Sequence, residues 1–205
     1  MSAPTKLAVI ADDKSARTSL ARLVKAGGFE VVSFSSAHEF LDDPVCDRVD
    51  CAVTDVQMPD IDGFKLQETL ARTLPYLSVI FITGHGDVPM SVRAIRGGAV
   101  DFLEKPVDHN ALLEAIRRAT ERSRAQRSSH VEIENLKSRY ELLTPRERQV
   151  FQLVTEGLLN KQAAAELGTA ERTIKVQRAQ VMLKMNAGSL AELVRMADQL
   201  KTRLE

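Results

Sequence analysis

Four short apolar runs, each closing on a polar residue, constrain the first half of this chain more than any other feature. Leu7-Ala8-Val9-Ile10-Ala11 leads to Asp12 and Asp13, and Cys51-Ala52-Val53-Thr54 leads to Asp55. Val79-Ile80-Phe81-Ile82 leads to Thr83, and Val100-Asp101-Phe102-Leu103-Glu104 leads to Lys105 and Pro106. Runs this short, alternating with segments of helical period, read as parallel strands joined by crossover helices. The C-terminal ends of such strands share one edge of the sheet, where ligands bind. Three carboxylates, a hydroxyl and an ammonium are therefore expected together.

The pattern predicts strands over 6–11, 30–34, 50–55, 78–82 and 100–104. Helices are predicted over about 15–26, 37–42 and 64–73, with another ending at Arg96 and a fifth starting near Asp108. Gly27-Gly28 and Gly97-Gly98 serve as helix stops. Five strands alternating with five helices make a doubly wound α/β domain with a parallel sheet, expected over 5–121.

Residues 122–141 read as a linker, polar and helical. Ile133, Leu136, Tyr140 and Leu143 recur at helical spacing within and just after it. Two uses fit that seam, pairing two chains or packing on its own domain. From 142 to 205 no strand signal remains. Thr144-Pro145-Arg146-Glu147 has the pattern of a helix start, with a capping threonine, a proline in the first turn and a glutamate three residues after the cap. Helices are expected to end at Gly157 and Gly168, to run over about 171–185, and to run from a Ser189 cap to about 200. Four short helices form a small all-α domain.

Composition adds bounds rather than identity. Hydrophobic content is 44% and net charge is zero. Residues 1–125 hold 15 Lys/Arg against 18 Asp/Glu, and residues 126–205 hold 13 against 10. Cys46 and Cys51 make no disulfide framework and are expected to be reduced. No apolar run approaches the roughly 18 residues of a membrane span, so a cytoplasmic protein without a membrane partner is expected.

The acidic edge has a definite chemistry. A carboxylate attacks phosphorus poorly while its charge repels the phosphoryl oxygens, and a divalent cation between them removes that repulsion. Mg²⁺ keeps several waters and needs only one or two protein carboxylates. Asp13 and Asp55 can supply these, Asp12 can hold a coordinated water, and the Gln57 carbonyl can add a ligand. Lys105 would pair with the phosphoryl group or the free carboxylate, and the Thr83 hydroxyl would bond a phosphoryl oxygen. Each aspartate taken alone reads more readily as a helix cap or turn residue, and it is the combination at the strand ends that points to a site.

With these motifs, residues 5–120 resemble the receiver domain of bacterial two-component response regulators, a CheY-like fold. The resemblance implies that Asp55 accepts a phosphoryl group from a phosphohistidine on a sensor histidine kinase. It assigns Asp12 and Asp13 to Mg²⁺, makes Thr83 and Phe102 a switch pair, and implies a cis Lys105–Pro106 bond. The stretches around Thr83-Gly84-His85-Gly86-Asp87 and Gly98-Ala99-Val100-Asp101-Phe102 are most similar to the NarL/FixJ group. His85 either lines the entrance to the site or is a bare loop residue. Lys14 departs from the pattern, since many receivers carry an acid there.

The predicted helix over 171–185 carries Arg172, Lys175, Arg178 and Lys184, with no acid from 172 to 191. Cations so placed either line a solvated face or neutralise DNA phosphates. A preceding short helix, Asn160 to Leu167, and a turn at Gly168 make this a helix-turn-helix pattern, whose second helix enters the major groove. Residues 142–200 resemble the LuxR-type DNA-binding domain, through Leu143-Thr144-Pro145-Arg146-Glu147-Arg148, Asn160-Lys161, Arg172-Thr173-Ile174-Lys175-Val176 and Lys184-Met185. The resemblance implies that Lys175, Val176, Arg178 and Ala179 face the groove. It sets Lys161, Arg172 and Lys184 nearer the backbone, and Thr173 and Gln177 complete the expected DNA contacts. Gln177 and Gly188 depart from it, at positions where histidine and a basic residue are common.

Together the two halves predict a non-enzymatic, phosphorylation-activated regulator that dimerises, binds double-stranded promoter DNA and works with RNA polymerase. The expected dimer surface is 88–96 with 100–104. The helix over 189–200, through Leu190, Leu193, Val194 and Ala197, is either a second dimer contact or core. A regulator that keeps its receiver only for dimerisation is the first alternative. A phosphatase-like enzyme is the second, and it lacks a second aspartate two residues after Asp55, where Gln57 stands.

Overall fold

The computed structural model describes residues 5–59, 61–84 and 86–201, and His85 lies outside them. Two compact units divide at Ser128/Ser129.

The first unit alternates strand and helix: β1 (Lys6–Ile10), α1 (Lys14–Ala26), β2 (Glu30–Phe34), α2 (Ala37–Asp42), β3 (Cys51–Asp55), α3 (Gly63–Thr73), β4 (Ser78–Thr83), α4 (Val88–Arg96), β5 (Asp101–Glu104) and the first part of α5 (His109–Glu141), which runs on past Ser128. All strand pairs are parallel, in the order β2-β1-β3-β4-β5. Alternate residues of each inner strand enter two different cores, as the two-residue period of a strand requires. Leu7, Val9, Cys51, Val53, Ile80 and Ile82 meet helices α1 and α5. Ala8, Ile10, Ala52, Val79 and Phe81 face the core that holds Phe40, Phe64, Leu66 and Ala94 of α2, α3 and α4. A sheet covered on both faces explains why β3 and β4 read as unbroken apolar runs.

Register sets the functional edge. Ile10 pairs with Thr54, Asp55 with Ile82, and Thr83 with Glu104. Asp12, Asp55, Thr83 and Lys105 therefore emerge side by side. Backbone bonds from Val56 N to Ile82 O (3.2 Å) and from Lys105 N to Thr83 O (2.8 Å) carry the ladder past the strand ends.

Helix α5 is longer than the expected domain helix, because the stretch read as a linker continues it. No glycine or proline occurs from His109 to Glu141, so nothing in the sequence stops it.

The second unit holds α6 (Pro145–Thr155), α7 (Asn160–Glu166), α8 (Glu171–Met185) and α9 (Leu190–Lys201). The capping box forms as its sequence pattern predicts: Thr144 Oγ1 accepts from Glu147 N, and Glu147 Oε2 accepts from Thr144 N at 2.8 Å. The seam question is answered locally: Leu136, Tyr140 and Leu143 pack into this unit's own core with Val150, Phe151 and Ile174. Leu193 and Ala197 of α9 are core as well, while Leu190 stays 39% exposed. Cys46 and Cys51 are free thiols, and burial pushes the Cys51 thiol up. No helix among the described residues is long and apolar enough to cross a membrane.

Candidate functional site

Asp55 ends the central strand, and only 8% of its surface is exposed. Its Oδ2 lies 2.5 Å from Lys105 Nζ, and its Oδ1 accepts a long bond from Gln57 N at 3.3 Å. A carboxylate this sheltered needs a partner, since burying an unpaired charge is costly. Lys105 directly follows β5, and the Lys105–Pro106 bond is cis, as the resemblance implied.

Asp12 and Asp13 are exposed in the β1–α1 loop. Asp13 is also the cap of α1, its Oδ1 accepting from Ala16 N at 2.7 Å, which leaves Oδ2 for other use. Arg17 pins this loop from below. Its Nη1 donates to the carbonyls of Ala11 and Asp12, the latter at 3.0 Å. Asp12 and Gln57 line one open cleft of about 480 Å³, floored by Val56 and Met58 and rimmed by Arg93. Arg93 stacks on the Phe64 ring, 4.2 Å from its centroid. Lys14 is exposed at the first position of α1.

The donor set suits Mg²⁺. All candidate ligands are oxygens, and this ion completes its shell with water. Among the described residues no three acidic, histidine or cysteine side chains converge on one point. A cation here would therefore lean on few protein ligands and several waters.

Thr83 is buried and Phe102 half-buried, with its ring centroid 6.4 Å from that of Phe81. Gly86 wedges between them. A Cβ on it would lie 3.0 Å from Phe102 and 3.2 Å from the Thr83 methyl. Gly63 makes a tighter approach, and a Cβ there would sit 2.5 Å from the Asp55 carbonyl oxygen and 2.8 Å from Phe81. The close approach of either glycine was not legible in the sequence, because it is made only by folding.

In the second unit, α8 splits into two faces. Ile174, Val181 and Met185 are buried and mark the inner one. Arg172, Lys175, Val176, Ala179 and Gln180 line an open groove of about 740 Å³ together with Glu171. Val176 is 58% exposed, and Thr173 and Lys161 are exposed as well.

Three expected DNA contacts are half-buried rather than exposed. The Gln177 Oε1 is buried without a hydrogen-bond partner among the described residues. The Arg178 guanidinium is half-buried and donates from Nη1 to Asn160 Oδ1 at 3.0 Å. Both residues lie three or four positions from Ile174 and Val181, which turns them inward. Lys184 is engaged inside the unit, its Nζ 2.7 Å from Glu147 Oε2 and 3.2 Å from Leu142 O. That Lys184 bond, followed by the backbone and hydroxyl bonds from Thr144, holds the Glu147 carboxyl below the usual range. Gln180, by contrast, is exposed and lines the same groove, although it lay outside the expected contact set. It lies four residues after Val176, a spacing that points to it once the helix phase is known.

Known proteins agree with this architecture. The family described as response regulator receiver domain matches residues 7–117, and the family of bacterial regulatory proteins, luxR family, matches residues 141–197. Nodulation protein W of Bradyrhizobium diazoefficiens is 51% identical over 94% of this chain and 85% of its own length. The transcriptional regulatory protein FixJ of Azorhizobium caulinodans is 46% identical over 92% of this chain and 90% of its own. Among solved structures, the response regulator StyR aligns with a TM-score of 0.80 at 41% identity, covering 96% of this chain and all of the other. Full-length FixJ from B. japonicum aligns with a TM-score of 0.56 at 39% identity, covering 98% and 99%. The chain therefore belongs to the NarL/FixJ-type response regulators, phosphorylation-activated transcription regulators that join a receiver domain to a LuxR-type DNA-binding domain.

Proposed function

We propose that Asp55 is the phosphoacceptor. The observation that carries this is the sheltered carboxylate at the end of β3 with Lys105 as its cation 2.5 Å away. In the reaction, a carboxylate oxygen of Asp55 forms the new bond to phosphorus while the phosphorus–nitrogen bond of a kinase phosphohistidine breaks. The histidine leaves with the electron pair. Asp13, Asp55 and the Gln57 carbonyl would hold Mg²⁺, with Asp12 on a coordinated water, and the bound ion would supply charge neutralisation of the phosphoryl oxygens. Lys105 exchanges its partner from the free carboxylate to a phosphoryl oxygen, and Thr83 bonds another. Thr83 and Phe102 are the switch pair, sharing the space beside Gly86. The protein acts as a stoichiometric acceptor rather than a turnover catalyst.

Residues 5–121 form the receiver, 122–141 the helical linker and 142–205 the DNA-binding domain. Phosphorylation shifts an existing equilibrium toward a form that pairs with a second copy. Exposed Val88, Val92 and Ile95 on α4, beside β5, support that surface. The DNA contacts are Arg172, Thr173, Lys175, Val176 and Ala179, with Lys161 on the backbone, and the bound dimer works with RNA polymerase at a promoter in the cytoplasm.

The deciding experiment is incubation with Mg²⁺ and acetyl phosphate, beside Asp55→Ala, reading mass and oligomeric state. A phosphate adduct and a dimer in wild type alone support the proposal. No adduct on wild type, with a control receiver labelled alongside, refutes it.

A further inference from the structure

We infer that Gln180 reads adenine in the major groove. The inference rests on the DNA-binding reading above and extends it to a residue with no assigned role. It follows from how α8 divides its polar side chains. Gln177 has its amide oxygen buried, and the Arg178 guanidinium is tied to Asn160 at 3.0 Å. Both are half-buried, which leaves them less open to a ligand than the exposed side chains of this face. Gln180 is exposed and lines the same groove as Lys175, Val176 and Ala179.

The surroundings suit base contact rather than phosphate contact. Val176 lies one turn before Gln180 and offers an aliphatic surface 58% exposed, suited to a thymine methyl. Ala179, immediately adjacent, has only a methyl group to hold the helix away from the bases. A glutamine amide both donates and accepts, which matches the adenine N7 and N6 pattern, unique to adenine in the major groove. The arginine and lysine side chains on this face, Arg172 and Lys175, lie toward the helix N-terminus. Phosphate neutralisation and amide readout are thus separated along the helix.

The test is sequence selection by the full chain, treated with acetyl phosphate and Mg²⁺, from a duplex library randomised across two half-sites. Wild type should favour adenine at one position per half-site by roughly tenfold, the scale of a bidentate base contact. Gln180→Ala should flatten that position to within about twofold while leaving the salt dependence unchanged, since no phosphate contact is lost. Gln180→Glu should move the preference to cytosine, whose amino group a carboxylate accepts. Gln177→Ala should leave the preference intact. Retention of every base preference by Gln180→Ala, while Lys175→Ala loses specific binding, overturns the Gln180 assignment and leaves the DNA reading standing. Selection of no sequence by wild type overturns both.

Discussion

Replacing Lys184 with methionine keeps the apolar stem and deletes one ammonium, which bonds within the fold. Its Nζ bridges Glu147 Oε2 at 2.7 Å and the Leu142 carbonyl at 3.2 Å, tying α8 to the start of α6. Side-chain exposure is 30% for Lys184 and 10% for Glu147, so solvent screens the pair only in part. A hydrogen bond to a charged group contributes about 1.5–3 kcal/mol, and Glu147 keeps its bond from Thr144 N. The expected loss is therefore about 2 kcal/mol for this unit. At 1.36 kcal/mol per decade, that is roughly 30-fold faster exchange of the most protected amides of α6 and α8. Native-state hydrogen exchange on the full chain measures it without isolating the unit. A free phosphate contact would behave oppositely, with exchange unchanged and the salt slope of DNA binding reduced by about one. Exchange altered by less than about threefold, together with that smaller slope, would refute the reasoning.

Three further outcomes follow from named contacts. Because its folded pKa is depressed, Glu147 contributes stability that is fully present above the ordinary glutamate value and is lost as pH falls through the lower folded value. Acid titration of wild type should then show a loss of protection in α6 and α8 below about pH 4.3 that Glu147→Gln lacks. Gly63→Ala places a Cβ 2.5 Å from the Asp55 carbonyl, so the α3 start must shift; a loss of about 2 kcal/mol in urea unfolding and slower labelling by acetyl phosphate are expected. Gly86→Ala adds a Cβ 3.0 Å from the Phe102 ring at a backbone that tolerates it; altered phosphorylation-dependent dimerisation with unchanged acetyl phosphate labelling is expected, and equal dimerisation in ultracentrifugation would count against a shared switch space.

Short-range chemistry made much of this protein readable before folding. Strand positions followed from apolar runs that two covered sheet faces require, and parallel connectivity then brought Asp12, Asp55, Thr83 and Lys105 to one edge. The Thr144–Glu147 capping box was readable because its partners are three residues apart. Other features depended on contacts distant in sequence. Successive helix residues turn by about 100°, so a list of polar residues on α8 does not say which face inward until Ile174, Val181 and Met185 have chosen the core side. That choice turned Gln177 and Arg178 inward and left Gln180 outward. Lys184 met Glu147 across 37 residues, and Leu136 and Tyr140 entered their own unit's core. Amino-acid order determined which elements form and which chemistry gathers at the sheet edge; only tertiary packing decided which side chains are left free to act, because a helix acquires an inside and an outside only when something covers it.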